Sequence, residues 1–220
     1  MLVKICGITN LDDARFALDA GADWIGLNLV AGPRRIELPM AQRILSGLDD
    51  ASRAVVLVRM EKDRIDNALV AALRDEGVQR VQLYGEVTPS AVSQLARAGL
   101  ASILVHHAAG DASVVSLSEL LESFSAVKPS HLLVDAQTLN ALGGTGQKAD
   151  WAALVRARAQ GLDAKWPPLI LAGGLTPMNV RDGIETVRPI GVDVSSGVEL
   201  KPGRKDPAKV NAFLTAVHGA

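Results

Sequence analysis

The chain has 220 residues, 48% of them hydrophobic and 21% charged, ordinary proportions for a globular domain with one large core. A formal net charge of −1 argues against a nucleic-acid binder, and the Arg34-Arg35 pair is too short to track a phosphate backbone. No apolar run approaches the length of a membrane span, and a lone cysteine fits a reducing compartment, so the expectation is a cytoplasmic protein.

The first strand is predicted at 2–6. It leaves no room for a leader ahead of it, and it places Cys6 where the strand ends and the turn of Gly7, Thr9 and Asn10 begins. Further strands are predicted at 24–29, 54–59, 80–83, 102–106, 131–135, 169–172 and 192–195. Each is short and apolar on both faces, as a parallel strand covered on both sides should be. Helical patterns lie between them. Ile65, Ala68, Leu69, Ala72 and Leu73 form a stripe opposite Lys62, Asp63, Asp66 and Asp75. Thr176-Pro177 and Asp206-Pro207 each read as an N-cap followed by proline at the first helical position. The last helix then presents Val210, Phe213, Leu214 and Val217 on one face. Eight strand–helix units without a composition shift predict a single domain over 1–220, an α/β fold of the (β/α)₈ TIM-barrel type with eight parallel strands and outer helices. A doubly wound sheet is the alternative. Glycine pairs after strands six and seven, and Gly197 after strand eight, favour the barrel, which builds a phosphate site there.

The candidate chemical residues sit at strand ends. Cys6 has no second cysteine to pair with and no histidine pair at ligand spacing, which leaves packing or reactivity and gives no metal site. A reactive thiol at this position could remove a proton from carbon. Asp135 follows three branched apolar residues. It could cap a turn, pair with a buried cation, or carry a pKa raised enough to donate a proton. Gly143 and Gly144, then Gly173 and Gly174, then Ser195, Ser196 and Gly197 form successive loops. Their backbone N–H groups and hydroxyls suit a phosphate monoester; turns alone are the plainer explanation of any single loop. Arg34 and Arg35 are either solvated loop residues or a grip for a carboxylate. His106 and His107 end the fifth strand, and nothing nearby in sequence completes a dyad with them.

Taken together these segments resemble the phosphoribosylanthranilate isomerase family. The resemblance is carried by KICGIT at 4–9, GADWIG at 21–26, PR at 33–34, VQLYG at 81–85, GGTG at 143–146 and DW at 150–151. It continues through AGGL at 172–175, NV at 179–180, VDVSSGVE at 192–199 and PGRKD at 202–206. It implies a cofactor-free Amadori rearrangement of a phosphorylated aminosugar in tryptophan biosynthesis, by a monomer or homodimer without nucleic-acid or membrane partners. By resemblance Asp135 is the general acid, Cys6 the general base and Arg34 the holder of the anthranilate carboxylate. Gly143, Gly144, Gly173, Gly174, Ser195, Ser196 and Gly197 surround the phosphate, and Asp193 orders that end of the site. The acid–base reading asks for a thiol pKa lowered to about 7. The sequence departs from the family at Tyr84, where a histidine is usual, and in the loop 30–33. Two other readings keep the fold: a dual-substrate aminoaldose isomerase, which would be expected to carry a second aspartate where Cys6 stands, and a non-catalytic phosphosugar-binding barrel.

Overall fold

The computed structural model describes residues 1–60, 62–108, 110–135 and 151–219. Strands apolar on both faces need cover on both, and the chain supplies it by closing the sheet on itself and wrapping helices around it. The strands are β1 (Leu2–Ile8), β2 (Trp24–Asn28), β3 (Ala54–Arg59), β4 (Arg80–Tyr84), β5 (Ala101–His107), β6 (His131–Asp135), β7 (Leu169–Ala172) and β8 (Gly191–Val194). They pair in parallel in that order, and β8 pairs back onto β1, so the barrel closes. Around it lie α1 (Leu11–Asp19), α2 (Leu38–Ser46), α3 (Asn67–Asp75) and α4 (Pro89–Arg97). The ring is completed by α5 (Asp111–Glu122), α6 (Trp151–Ala159), α7 (Val180–Val187) and α8 (Pro207–His218).

The period-2 alternation of side chains splits each strand between two cores. One set faces the helices and forms the larger core, with Ile5, Ile25, Val56, Val81, Leu104, Leu132, Leu171 and Val192. The other set fills the barrel, with Cys6, Trp24, Val55, Leu57, Ile103, Leu133, Ile170 and Ala172. At the N-terminal end the indole of Trp24 meets the His131 ring edge-on at 5.3 Å, and the Arg80 guanidinium lies 4.5 Å over it. That plug leaves the C-terminal end as the open mouth.

Local signals decide the helix starts. Asp206 caps α8 by accepting from the N–H groups of Ala208 and Lys209, with Pro207 at the first position, as the sequence predicts. The stripe expected to begin at Ile65 is corrected. Asp66 caps α3 by accepting from Ala68 N–H, and the helix starts at Asn67, two residues later, so Val70 and Leu73 face inward while Ile65 is buried from the preceding loop. Thr176 is likewise not the cap of α7. Its hydroxyl accepts from Met178 N–H within a turn, and α7 begins at Val180. After β8 the chain makes a small antiparallel hairpin of β9 (Glu199–Lys201) and β10 (Arg204–Lys205). Thr9 donates to the carbonyl of Gly203 at 2.6 Å, and Asp13 accepts from Lys205 N–H at 2.9 Å, which pins the hairpin over the mouth beside α1.

Candidate active site

A cavity of about 230 Å³ opens at the mouth. Its walls bring together Cys6, Arg34, Asp135, Gly173, Gly174, Asp193, Ser195 and Ser196, residues spread from the first strand to the last. A larger cavity, of about 570 Å³, lies around Trp166 and the C-terminal end of α5. That is the opposite end of the barrel from the one where such folds build their chemistry.

Each wall follows from the strand register. Cys6 faces Gly26 across β1 and β2, and a Cβ on Gly26 would stand 2.7 Å from the Cys6 sulfur. Glycine there is the space the thiol occupies. Asp135 ends β6, with β7 and β8 between it and β1, so the carboxyl and the thiol stand on different sides of one cavity. His107 is register-paired with Asp135, its Nδ1 3.9 Å from Oδ2. His106 points the other way, its Nε2 2.9 Å from Ser113 Oγ on α5, and does not line the cavity. Tyr84 does line it, and its hydroxyl accepts from Gln82 Nε2 at 3.2 Å. Burial pushes that phenol well above the ordinary tyrosine range, so it stays protonated.

Gly7 adopts a left-handed φ of +77°, and a side chain on it would run into the Cδ of Arg34. Arg34 therefore lies directly across the β1 turn. Arg35, by contrast, is half exposed and pairs with Glu37 at 3.1 Å, outside the cavity. On the other side Gly173 and Gly174 both have positive φ and form the β7 loop. Gly197 is not a lining residue; a Cβ there would collide with the carbonyl of Leu175, so glycine lets the β7 and β8 loops touch. Ser195 Oγ is buried and has no hydrogen-bond partner among the described residues. Such a group is costly unless something polar arrives to satisfy it. Gly143 and Gly144 lie outside the described residues.

Two charge clusters underlie the site, and neither was legible as a cluster in the sequence. Lys4, fully buried, donates to Asp193 Oδ1 at 2.9 Å across the β1–β8 register. Asp193, expected at the ordering end of the site, thus lines the cavity with one oxygen tied to a cation below it. The second cluster joins Arg34 Nε and Nη2 to Glu199 Oε1 and Oε2 at 2.8 and 2.6 Å. Lys205 Nζ reaches the same Oε1 at 2.9 Å, and Gly203 N–H donates to it at 3.2 Å. Desolvation works against the Glu199 carboxylate, yet the hydrogen bonds from Arg34 and Lys205 outweigh it and hold its pKa below the ordinary range. The signals were present: a lysine inside an apolar strand, and Pro202-Gly203 between two short alternating runs.

The thiol itself differs from the sequence expectation. Burial pushes Cys6 above the usual cysteine value, with Lys4 and Lys205 pulling it down and Asp193 opposing them. In the free protein the neutral thiol is the favoured form.

A closed eight-stranded barrel whose mouth cavity combines a thiol, a carboxyl, a guanidinium and glycine loops is the arrangement of a (β/α)₈-barrel enzyme acting on a small molecule. Comparison narrows the class. Residues 3–216 match the family model described as N-(5'phosphoribosyl)anthranilate (PRA) isomerase, and the chain belongs to that family. An N-(5'-phosphoribosyl)anthranilate isomerase of Citrifermentans bemidjiense is 38% identical over 96% of this chain and 94% of its own. One from Moorella thermoacetica is 39% identical over 99% and 90%. The crystal structure of the Thermotoga maritima phosphoribosyl anthranilate isomerase superposes with a TM-score of 0.81 at 30% identity over the whole of both chains. A crystal structure of a phosphoribosyl anthranilate isomerase in complex with reduced 1-(o-carboxyphenylamino)-1-deoxyribulose 5-phosphate superposes at 0.77 and 28% identity, again over both whole chains. The protein is an isomerase. No described helix is long and apolar enough to cross a membrane.

Proposed function

We propose that the protein converts N-(5-phospho-β-D-ribosyl)anthranilate to 1-(2-carboxyphenylamino)-1-deoxy-D-ribulose 5-phosphate, with Asp135 as general acid and Cys6 as general base. The observation that carries this reading is the placement of the thiol and the carboxyl on different walls of one small cavity, with Arg34 and the glycine loops on its rim. Asp135 protonates the furanose ring oxygen. The C1–O bond breaks as the anthranilate nitrogen lone pair forms a C1=N⁺ iminium. The Cys6 thiolate then takes the C2 proton, and the C–H electron pair becomes the C1=C2 bond of a neutral enolamine. Loss of the C2 hydroxyl proton and protonation at C1 give the ketone.

Burial disfavours the thiolate in the free protein, so its charge must be stabilised by what the substrate brings. The iminium is a cation formed next to C2, and the sulfur it acts on is buried, where the field of a nearby charge is less screened than in water. Gly173, Gly174, Ser195 and Ser196 surround the phosphate in this reading. The orphaned Ser195 hydroxyl is the kind of donor a phosphate oxygen would satisfy. Arg34 holds the anthranilate carboxylate at the other end.

The test is conversion of freshly prepared N-(5-phosphoribosyl)anthranilate, followed by loss of anthranilate-type fluorescence and by product identification, in the wild type and Cys6→Ala. Removing a general base costs about 10²–10⁴-fold, and a kcat loss in that range is expected. Turnover that survives the loss of the thiol would move the base elsewhere, and a wild type that binds but does not convert the substrate would remove the isomerase reading.

A further inference from the structure

The way Arg34 is held carries a second assignment. A guanidinium has five N–H donors in a rigid fork. Glu199 takes the Nε edge, from Nε at 2.8 Å and from Nη2 at 2.6 Å. The remaining Nη1–Nη2 edge has no partner among the described residues, and Arg34 lines the cavity. A second carboxylate fits that edge with the same two-bond geometry that Glu199 uses on the first.

Charge decides whether a second carboxylate would be accepted. An isolated Arg–Glu pair is neutral, and a new anion beside it feels repulsion from Glu199 as well as attraction to Arg34. Here Lys205, its side chain 1% exposed, places Nζ 2.9 Å from Glu199 Oε1. The cluster therefore holds two cations to one anion, and the unmatched positive charge is on the side of Arg34. Lys205 also donates to the backbone carbonyl of Ser195 at 3.3 Å, and the hairpin that carries it is pinned to Thr9 and Asp13.

We infer that Glu199 and Lys205 are positioning residues for the carboxylate of the substrate: Glu199 aims the free edge of Arg34, and Lys205 cancels the charge of Glu199 so that the second carboxylate is attracted. The inference rests on the reading of Arg34 as the carboxylate grip. Neither residue lines the cavity, and Lys205 acts on Arg34 through Glu199.

Two probes separate this role from a merely structural one. The first is reduced 1-(2-carboxyphenylamino)-1-deoxyribulose 5-phosphate, and the second is its phenylamino counterpart lacking the carboxylate. Their dissociation constants are measured by fluorescence or calorimetric titration in the wild type, Arg34→Gln, Lys205→Met, Glu199→Gln and the Glu199→Gln/Lys205→Met pair. Lys205→Met is expected to weaken the carboxylate-bearing probe about tenfold and to leave the other within about twofold. The double variant is expected to bind the first probe more tightly than Lys205→Met alone, because a neutral amide in place of the Glu199 carboxylate restores the positive balance around Arg34. Equal losses on both probes, no loss on either, or a double variant weaker than the single would overturn the inference. Arg34→Gln provides the control. If it binds both probes like the wild type, Arg34 is not the grip and the inference falls with that assignment. Wild-type turnover independently reports on the isomerase reading.

Discussion

The two charge clusters on the β8 side of the mouth are built from similar parts and do different things. Lys4 and Asp193 form a closed pair: one cation, one anion, 2.9 Å apart, with the lysine wholly inside the barrel. Arg34, Glu199 and Lys205 form an open one, with a cation in excess and the Arg34 side chain 21% exposed at the cavity rim. Desolvating charges is expensive, and a closed buried pair recovers the cost only through its own bond. Its charges balance, so it adds no net attraction for an anionic ligand. The open cluster keeps an unengaged donor edge where a ligand can reach it. The comparison teaches that buried charge near a site is informative about binding when its partners fail to exhaust it. The closed pair acts instead on its neighbour Cys6, which lies two residues from Lys4 on the same face of β1.

The sharpest way to break the comparison is to open the closed pair. Lys4→Met leaves Asp193 buried without its cation, and breaking such a pair costs about 3–5 kcal/mol. At about 2–4 °C per kcal/mol for a chain of this size, thermal unfolding should fall by roughly 6–20 °C. Removing both charges with Lys4→Met/Asp193→Leu should recover most of that loss. Glu199→Gln removes the anion from between Arg34, which is partly exposed, and the buried Lys205, but its amide oxygen can still accept from one of them, so it should cost less than Lys4→Met. Equal shifts in Lys4→Met and Glu199→Gln would show that the two clusters are energetically alike. Next in size is Gly26→Ala, which puts a methyl where the Cys6 sulfur now lies 2.7 Å away. Overpacking of this kind costs about 1–3 kcal/mol, and because it displaces the proposed base, kcat should fall about tenfold or more while the affinity for the carboxylate-bearing probe is kept.

The thiol gives a smaller and cleaner reading of the closed pair, since the chain has one cysteine and alkylation reports on it alone. Burial raises its folded pKa, with Lys4 and Lys205 opposing and Asp193 assisting. The pH midpoint of iodoacetamide reactivity should then lie above the free-thiol value of about 8.5. In Lys4→Met, with the larger favourable charge gone, it should move further up. The same shift has a stability consequence of definite sign. A group with a raised folded pKa contributes fully below the unfolded pKa and loses that contribution as pH rises through the folded one. Stability should therefore decline above about pH 8.5 in the wild type and decline less in Cys6→Ala. A midpoint at or below that of a free thiol would mean that the mouth activates Cys6 without substrate.

What the sequence disclosed follows the same division. Strands β3, β6 and β7 lie where the apolar runs predict them, and Cys6 and Asp135 could be placed at strand ends because a parallel barrel puts its chemistry there. Those are local facts combined with one topological rule. The start of α3 was misplaced because a single cap at Asp66 outranked a plausible apolar stripe. The Lys4–Asp193 bond joins residues 189 apart in sequence, and the Arg34–Glu199 fork joins residues 165 apart. A lysine in an apolar strand announces that it has a partner without saying which one. The β9–β10 hairpin is too short for periodicity to reveal, yet it brings Glu199 and Lys205 to the site.

The smallest predicted effect decides between adjacent arginines. Arg34 and Arg35 are indistinguishable as letters, and the departure of the loop 30–33 from the family pattern left either one available for the carboxylate. Arg34 crosses the Gly7 turn into the cavity and is held by a buried glutamate; Arg35 pairs at the surface with Glu37, itself 73% exposed. Exposed pairs contribute about 0–1 kcal/mol and are screened by salt. Arg35→Ala should accordingly leave KM, kcat and the affinity for the carboxylate-bearing probe within about twofold, and shift unfolding by no more than a few degrees. Arg34→Gln should weaken that probe by tenfold or more at unchanged fold, since a bidentate charge-assisted contact is lost. If Arg35→Ala instead weakened binding and Arg34→Gln did not, the open cluster would be a structural strut like the closed one. The distinction between exhausted and unexhausted charge would then fail in this barrel.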